Sequence, residues 1–368
     1  MTMFLKPGVS PDRRVVRLSS AILVFSTLIS GIAAAQSVPG FSVTTYAADV
    51  PGPVWLSFAP GGTLFCGRDL TATGTNVPLR ITRIGLGGAP VEEYGDVVIP
   101  DPDAVVYDAA GVVSGVPGSV LVGGLKPGNT AGAISAIRPN QTTVELFSST
   151  DWTNPTEMKF DMTGRLVFGD AVTRTLRVSA AGEPPTLLAT LPVGSTPGHL
   201  TIAPDNRIFV SDTSGKVLEY AADGTLLNGS YATFPSRVAI EFGPGGPWGT
   251  HLYALRLSTG TLHTIAPGGA VTQIGSGFAS GFNDLAFGPG GRLYVARFNA
   301  AQILAIEPEA CFCDPDVPAD INCNGGIDGA DLGLLLSAWG TADCAADLNE
   351  DGVVDGADLG LLLAGWGA

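Results

Sequence analysis

The chain is 368 residues long and carries 34 acidic against 19 basic side chains, a formal net charge of −15. So few cations on so acidic a chain exclude nucleic acid as a partner, because phosphate binding needs Lys and Arg. Fifty glycines and 27 prolines exclude a mainly helical fold and fit a turn-rich, all-β export product.

The first 35 residues read as a targeting segment. Lys6, Arg13, Arg14 and Arg17 make a basic start, an apolar run follows from Leu18, and Ala33, Ala34 and Ala35 close it with small side chains. That order predicts a secretory signal peptide cut near Ala35 and a mature chain outside the cell or on a bacterial surface. The alternative is an uncleaved anchor, although Ser19, Ser20, Ser26, Ser30 and Gly31 make the run a weak bilayer span. No later segment is long and apolar enough to cross a membrane.

From residue 36 to 310 one phrase recurs: an apolar run, a Gly-rich or Asp-rich turn, and a second apolar run. It is seen at Leu56–Phe65, Phe160–Phe168, Ile202–Val210, Phe242–Gly246 and Phe287–Val295, with a degenerate copy at Val105–Val122. The six copies are spaced by about 40 to 50 residues, and each continues into further strand-like runs with Asp-Gly or Gly-Gly hairpin turns. Four antiparallel strands at this period make one propeller blade, so the spacing predicts a six-bladed β-propeller. An irregular β-sandwich is the alternative. The last copy offers only three strands before the chain moves on, and Phe41–Tyr46 belongs to no copy. This segment is expected to supply the missing strand and close the ring. Cys66 lies in an apolar strand pattern and reads as a buried, inert thiol.

Propellers bind where the inner strands converge on the channel. The side chains at those positions are Trp55, Asp103, Glu157 beside Thr156, His199, Arg237, and Asn283 with Asp284. They are the candidates for holding a ligand that the sequence does not identify. Convergence of Glu157, His199 and Asp284 on one point would favour hydrolytic chemistry. No nucleophile elbow and no phosphate-cradling loop is present.

Residues 311–368 are different. They hold Cys311, Cys313, Cys323 and Cys344, candidates for two disulfides in an oxidising compartment, with three pairings open. After Cys311 come eleven acidic residues and no Lys or Arg. The segment contains a duplication. The first copy places Asp320, Asn322, Asn324, Gly326, Asp328 and Asp331 at loop positions 1, 3, 5, 7, 9 and 12; the second places Asp347, Asn349, Asp351, Val353, Asp355 and Asp358 there. Gly326 and Val353 would offer backbone carbonyls, the rest side-chain oxygens. That spacing wraps hard oxygen donors around one point and predicts two bound Ca²⁺ ions. The leucines after each loop (Leu334 to Leu336 and Leu361 to Leu363) are expected to pack between two short helices.

The duplicated tail resembles the type I dockerin family, in which two such loops each lead into a helix and position 12 is Asp, as at Asp331 and Asp358. Pro315 and Pro318 bar an entering helix, again as in dockerins. The resemblance implies a cohesin-like or other surface protein as partner and, by association, polysaccharide breakdown as the setting. At the family's partner-contact positions this chain has Gly329-Ala330 and Gly356-Ala357, without a hydroxyl. The propeller resembles the gluconolactonase and NHL-type six-bladed group, through Gly52-Pro53-Val54-Trp55 and Lys159–Arg165. That likeness implies a metal site, but the family's ligand positions fall here on Pro51, Thr156, Gly198 and Asp212, of which only Asp212 matches. The expectation is therefore a six-bladed, four-stranded-blade propeller joined to a small α dockerin-like calcium domain. It would act as a secreted binding module without lactonase catalysis, with a dockerin-borne hydrolase as the second possibility.

Overall fold

The structure, a computed structural model, describes residues 36–69, 77–126, 128, 130–245, 248–279, 281, 283–288, 291–308, 317–322, 326–341, 343, 345–349, 351 and 353–367. The leader and the four tail cysteines lie outside the described residues. No helix among the described residues is long and apolar enough to cross a membrane.

Six antiparallel sheets of four strands follow one another. The chain opens with β1 (Phe41–Ala47). Blade one is β2 (Pro53–Phe58), β3 (Leu64–Arg68), β4 (Pro78–Ile84) and β5 (Val91–Pro100). Blade two is β6 (Val105–Asp108), β7 (Ser119–Leu125), β8 (Gly132–Ile137) and β9 (Thr143–Ser149). Blade three is β10 (Pro155–Phe160), β11 (Leu166–Asp170), β12 (Thr175–Ser179) and β13 (Thr186–Thr190). Blade four is β14 (Pro197–Ile202), β15 (Ile208–Asp212), β16 (Lys216–Tyr220) and β17 (Leu226–Thr233). Blade five is β18 (Val238–Phe242), β19 (Leu252–Arg256), β20 (Thr261–Ile265) and β21 (Val271–Gly275). Blade six is β22 (Asn283–Phe287), β23 (Leu293–Arg297) and β24 (Gln302–Pro308), and β1 is its outer strand, with Phe41 opposite Pro308 and Thr44 opposite Ala305. The sixth blade is thus built from both ends of the propeller, as the unassigned Phe41–Tyr46 segment predicted.

The recurring phrase is the first hairpin of each blade. Its turn needs a residue with positive φ: Gly62 at 87°, Gly164 at 83° and, where the chain has no glycine, Asn206 at 67°. In blade three the Asp161 carboxylate accepts from Thr163 N and Arg165 N, both at 2.9 Å, and so fixes the turn.

Two-residue alternation then gives each second strand two apolar faces. Phe65 packs toward blade two while Leu64 and Cys66 pack toward blade six. Val167 faces blade four while Leu166 and Phe168 face blade two. Phe209 faces blade five while Ile208 and Val210 face blade three. Every blade–blade interface, including six with one, holds its own apolar cluster. Blades approach closely where the second strand has no side chain. A Cβ on Gly169 would sit 2.5 Å from Thr156 Oγ1 and 2.9 Å from Pro197 Cβ of the next blade. Cys66 is fully buried and unpaired, and burial raises its thiol pKa, so it is protonated and inert, as expected.

The tail forms two short helices, α1 (Gly329–Ser337) and α2 (Gly356–Ala364). Each starts with the same capping box, Asp328 with Asp331 and Asp355 with Asp358. The two copies clasp each other. Gly340 N donates to Val354 O at 2.9 Å, and Gly367 N donates to Ile327 O at 3.0 Å. Both copies end in a Trp-Gly pair, Trp339-Gly340 and Trp366-Gly367, and these bonds give each glycine its role, at φ of 74° and 78°. The expectation for the leucines is corrected here. Only Leu335 and Leu362 are buried between the helices, together with Ile327 and Val354. Leu334, Leu336, Leu361 and Leu363 are 42–52% exposed, because a nine-residue helix turns only one narrow stripe inward.

The closing strand is testable through Phe41, whose ring lies 4.2 Å from that of Trp248. Phe41→Ala is expected to destabilise the protein by about 2–3 kcal/mol, read from the urea midpoint. A loss below roughly 0.5 kcal/mol would mean that β1 does not hold the ring shut.

Candidate functional site

The inner strands β2, β10, β14, β18 and β22 share one register, each pairing its last residue (Phe58, Phe160, Ile202, Phe242, Phe287) with the first of the next strand. Three residues before that point stand Trp55, Glu157, His199, Ala239 and Asp284. They form one rung. On blade five the rung residue is Ala239, which packs into the apolar cluster between blades five and six.

The rung brings three of the sequence candidates together. One ligand atom each from Glu157, His199 and Asp284 lies within 4.8 Å of the others. His199 Nδ1 is 3.4 Å from Glu157 Oε2 and 3.3 Å from Asp284 Oδ1. Neither contact is aligned as a hydrogen bond: His199 Nδ1 and Asp284 Oδ1 are both buried without such a partner. Residue exposures are 2% for Glu157, 5% for His199 and 2% for Asp284. Burial alone would push the imidazolium pKa down, but the two facing carboxylates more than offset it and hold it above the usual value. The Trp55 ring lies 5.7 Å from that of His199, and its indole Nε1 is also buried without a hydrogen-bond partner.

Each carboxylate has a second task. Glu157 Oε2 accepts from Leu200 N of the next blade at 2.9 Å, and Asp284 Oδ2 accepts from Leu56 N of blade one at 2.9 Å. Both acids therefore stitch adjacent inner strands. Ser211 does the same with an hydroxyl, accepting from His199 N at 3.2 Å and donating to Val238 O at 2.6 Å.

A second rung, two residues deeper, was not singled out from the sequence. Lys159 Nζ is 3.0 Å from Glu157 Oε1 and also pairs with Glu241. Thr201 Oγ1 donates to Glu241 Oε1 at 2.6 Å. Burial opposes the Lys159 charge, but Glu157, Glu241 and Asp284 prevail and raise its pKa. The signal was available: Lys159 and Glu241 each stand one residue before the aromatic that ends an inner strand.

The other candidates lie apart from this cluster. Asp103 groups with Asp69 and Asp101, and burial with these like charges holds its carboxyl well above the usual range. Asp101 is pushed up to about 6 by burial and then by Asp69. Arg237 feels Asp103 and is depressed by its own burial. It lies over Gly198, where a Cβ would come 3.3 Å from its Nε. The side chain of Asn283 is not described. The lactonase-type metal set does not fit this chain: Pro51 and Gly198 have no oxygen side chain, and Asp212 is committed to its turn. Asp212 Oδ2 accepts from Ser195 Oγ at 2.7 Å, while Oδ1 accepts from Ser214 N at 2.8 Å and Lys216 N at 3.0 Å.

In the tail loops, the position-12 acids are fully buried. Asp331 accepts from Asn322 N at 3.0 Å and Asp328 N at 2.8 Å; Asp358 accepts from Asn349 N at 3.1 Å and Asp355 N at 2.7 Å. Each loop thus curls around its last carboxylate. Asp320 and Asp347, at position 1, are 6% exposed. In loop two, Asn349 Nδ2 donates to Asp351 Oδ2 at 2.9 Å. Among the described residues the tail holds no three carboxylate, imidazole or thiol ligand atoms gathered within 4.8 Å of one another, as Glu157, His199 and Asp284 are in the channel. Asn324 lies outside them.

No family model and no curated protein matches the chain. Solved structures match its propeller. A gluconolactonase from Xanthomonas campestris is 14% identical with a TM-score of 0.56, over 74% of this chain and 91% of its own. An auxiliary nutrient binding protein from Bacteroides thetaiotaomicron is 14% identical with a TM-score of 0.54, over 75% of this chain and 78% of its own. A PQQ-bound aldose sugar dehydrogenase from Streptomyces coelicolor is 14% identical with a TM-score of 0.51, over 74% and 99%. A lactonase, a dehydrogenase and a binding protein on one scaffold establish the six-bladed fold and leave the function to the site.

Two outcomes test this electrostatic layout. Lys159→Met strands buried carboxylates and is expected to cost about 3 kcal/mol, with Lys159→Arg costing less, by urea denaturation. Asp101 has a raised pKa in the folded state, so its contribution to stability is present near pH 4 and lost as pH rises through about 6. Asp101→Asn should therefore stabilise the protein by on the order of 2 kcal/mol at pH 7.5 and by almost nothing at pH 4.

Proposed function

We propose that the chain is an exported binding protein in which a calcium-ordered, dockerin-like tail attaches a six-bladed propeller to a surface or extracellular partner. The observation that carries this reading is the set of large apolar side chains the tail leaves uncovered. Leu334, Leu336 and Trp339 of one copy and Leu361, Leu363 and Trp366 of the other are all 42–52% exposed. One tryptophan and two leucines presented twice on a segment this short are what a docking surface needs. Calcium supplies the order. Asp347, Asp351, Asp355 and Asp358 repel one another when brought to one point, and a divalent cation offsets that repulsion. The partner is a cohesin-like or other surface protein.

The propeller is the cargo. Among the channel candidates, Trp55 Nε1 and Asp103 Oδ1 are buried without hydrogen-bond partners, a donor and an acceptor that a polar ligand entering the channel would satisfy. The second reading, a hydrolase delivered by the tail, is favoured by the convergence of Glu157, His199 and Asp284. Against it, both acids already bind inter-blade N–H groups and all three side chains are buried.

Calorimetric titration of the full chain with calcium is expected to give two sites, with helical circular dichroism rising on binding. Asp331→Asn and Asp358→Asn should each remove one site. Absence of calcium uptake by the unaltered chain would rule the reading out.

A further inference from the structure

We infer that the propeller channel contains a site for one divalent transition-metal ion of the zinc or manganese class, ligated by His199 Nδ1, Asp284 Oδ1 and Glu157 Oε2. This site is separate from the tail loops, and it is not the ligand set of the lactonase resemblance.

Spacing is the first argument. The His199 Nδ1 contacts of 3.3 Å and 3.4 Å are too long and too poorly aligned for charge-assisted hydrogen bonds. They match the separation of two ligands on one metal. Bonds of about 2.0–2.2 Å at tetrahedral angles place neighbouring ligand atoms roughly 3.3–3.5 Å apart. The third edge is within 4.8 Å, so the three ligand atoms lie around one centre.

The second argument is polar satisfaction. His199 Nδ1 and Asp284 Oδ1 are buried, face each other, and have no hydrogen-bond partner. A bound cation satisfies both at once. The orienting contacts are already in place. Leu200 N holds Glu157 Oε2, and Leu56 N holds Asp284 Oδ2. Such contacts aim ligands and fix their rotamers.

Charge is the third. With His199 neutral, as ligation requires, Glu157, Asp284 and Glu241 bring three formal negatives and Lys159 one positive, so the ion takes the place of the proton that the two carboxylates otherwise favour. A divalent ion makes the buried cluster neutral. Lys159 does not compete for the position, because it lies on Glu157 Oε1, the oxygen turned away from His199. One imidazole with two carboxylates selects a borderline cation over calcium, which takes six to eight oxygens.

The test is metal analysis of the full chain, dialysed against zinc in excess calcium so that the hard oxygen sites are filled. One zinc per chain is expected, with at least a tenfold loss of affinity in His199→Gln and in Asp284→Asn and none in Asp331→Asn. Zinc-edge X-ray absorption of the unaltered chain makes the answer independent of whether the variants fold. A nitrogen and oxygen shell with one imidazole supports the site. No zinc uptake, an all-oxygen shell, a sulfur shell from the tail cysteines, or unchanged affinity in both channel variants would overturn it.

Discussion

A four-stranded blade has two apolar faces and can hide neither by itself. That constraint organises the molecule. Strand alternation sends Leu166 and Phe168 one way and Val167 the other, so each blade needs a neighbour on both sides. A linear stack would leave two faces wet. A ring leaves none, and the cluster joining Leu56, Leu64 and Cys66 to Ala286, Tyr294 and Ala296 is where the ring meets itself. Hydrophobic burial thereby sets the channel, because whatever points inward from the inner strands must share the space left at the axis.

The polar groups at that axis are structural and chemical at once. Glu157 and Asp284 bind backbone N–H groups of the next blade, so they hold inner strands in place. The same bonds fix where their remaining oxygens point. Below them Lys159 bridges Glu157 and Glu241, tying blade three to blade five. A charged network this buried gives little net stability, since desolvation consumes most of the Coulombic gain. Its value lies in specifying geometry. The turn acid Asp212 shows a different case: its oxygens serve the hairpin and its neighbour, through Ser214, Lys216 and Ser195.

Much of this was legible in the sequence, for a physical reason. The hairpin turn needs positive φ, so glycine or asparagine marks it, and the apolar runs beside it follow the period of a strand. Gly62, Gly164 and Asn206 thus announce the blades, and the orphan Phe41–Tyr46 announces the closing strand. His199, Glu157 and Asp284 could be named because repeats put equivalent positions in equivalent places. Lys159 and Glu241 were equally aligned, but nothing in a linear sequence says that blade three reaches blade five across the axis. Nor does it say which leucines of a nine-residue helix turn outward. The clasp between Gly340 and Val354 left only half a trace: the repeated glycine marks a positive-φ position, but nothing in it names the backbone partner in the other copy.

The pairing of β1 with β24 has a kinetic consequence. Phe41 cannot meet Pro308 until almost the whole ring has been made. Blade six then stands as a three-stranded sheet with a raw edge, and the faces it shares with blades one and five stay open. Closing so long a loop costs little in final stability, since each doubling of length adds only about 0.6 kcal/mol. Contacts this distant in sequence slow folding far more than they weaken the product. The ring should therefore assemble as an arc of blades and commit late, in one cooperative step, when its two ends find each other.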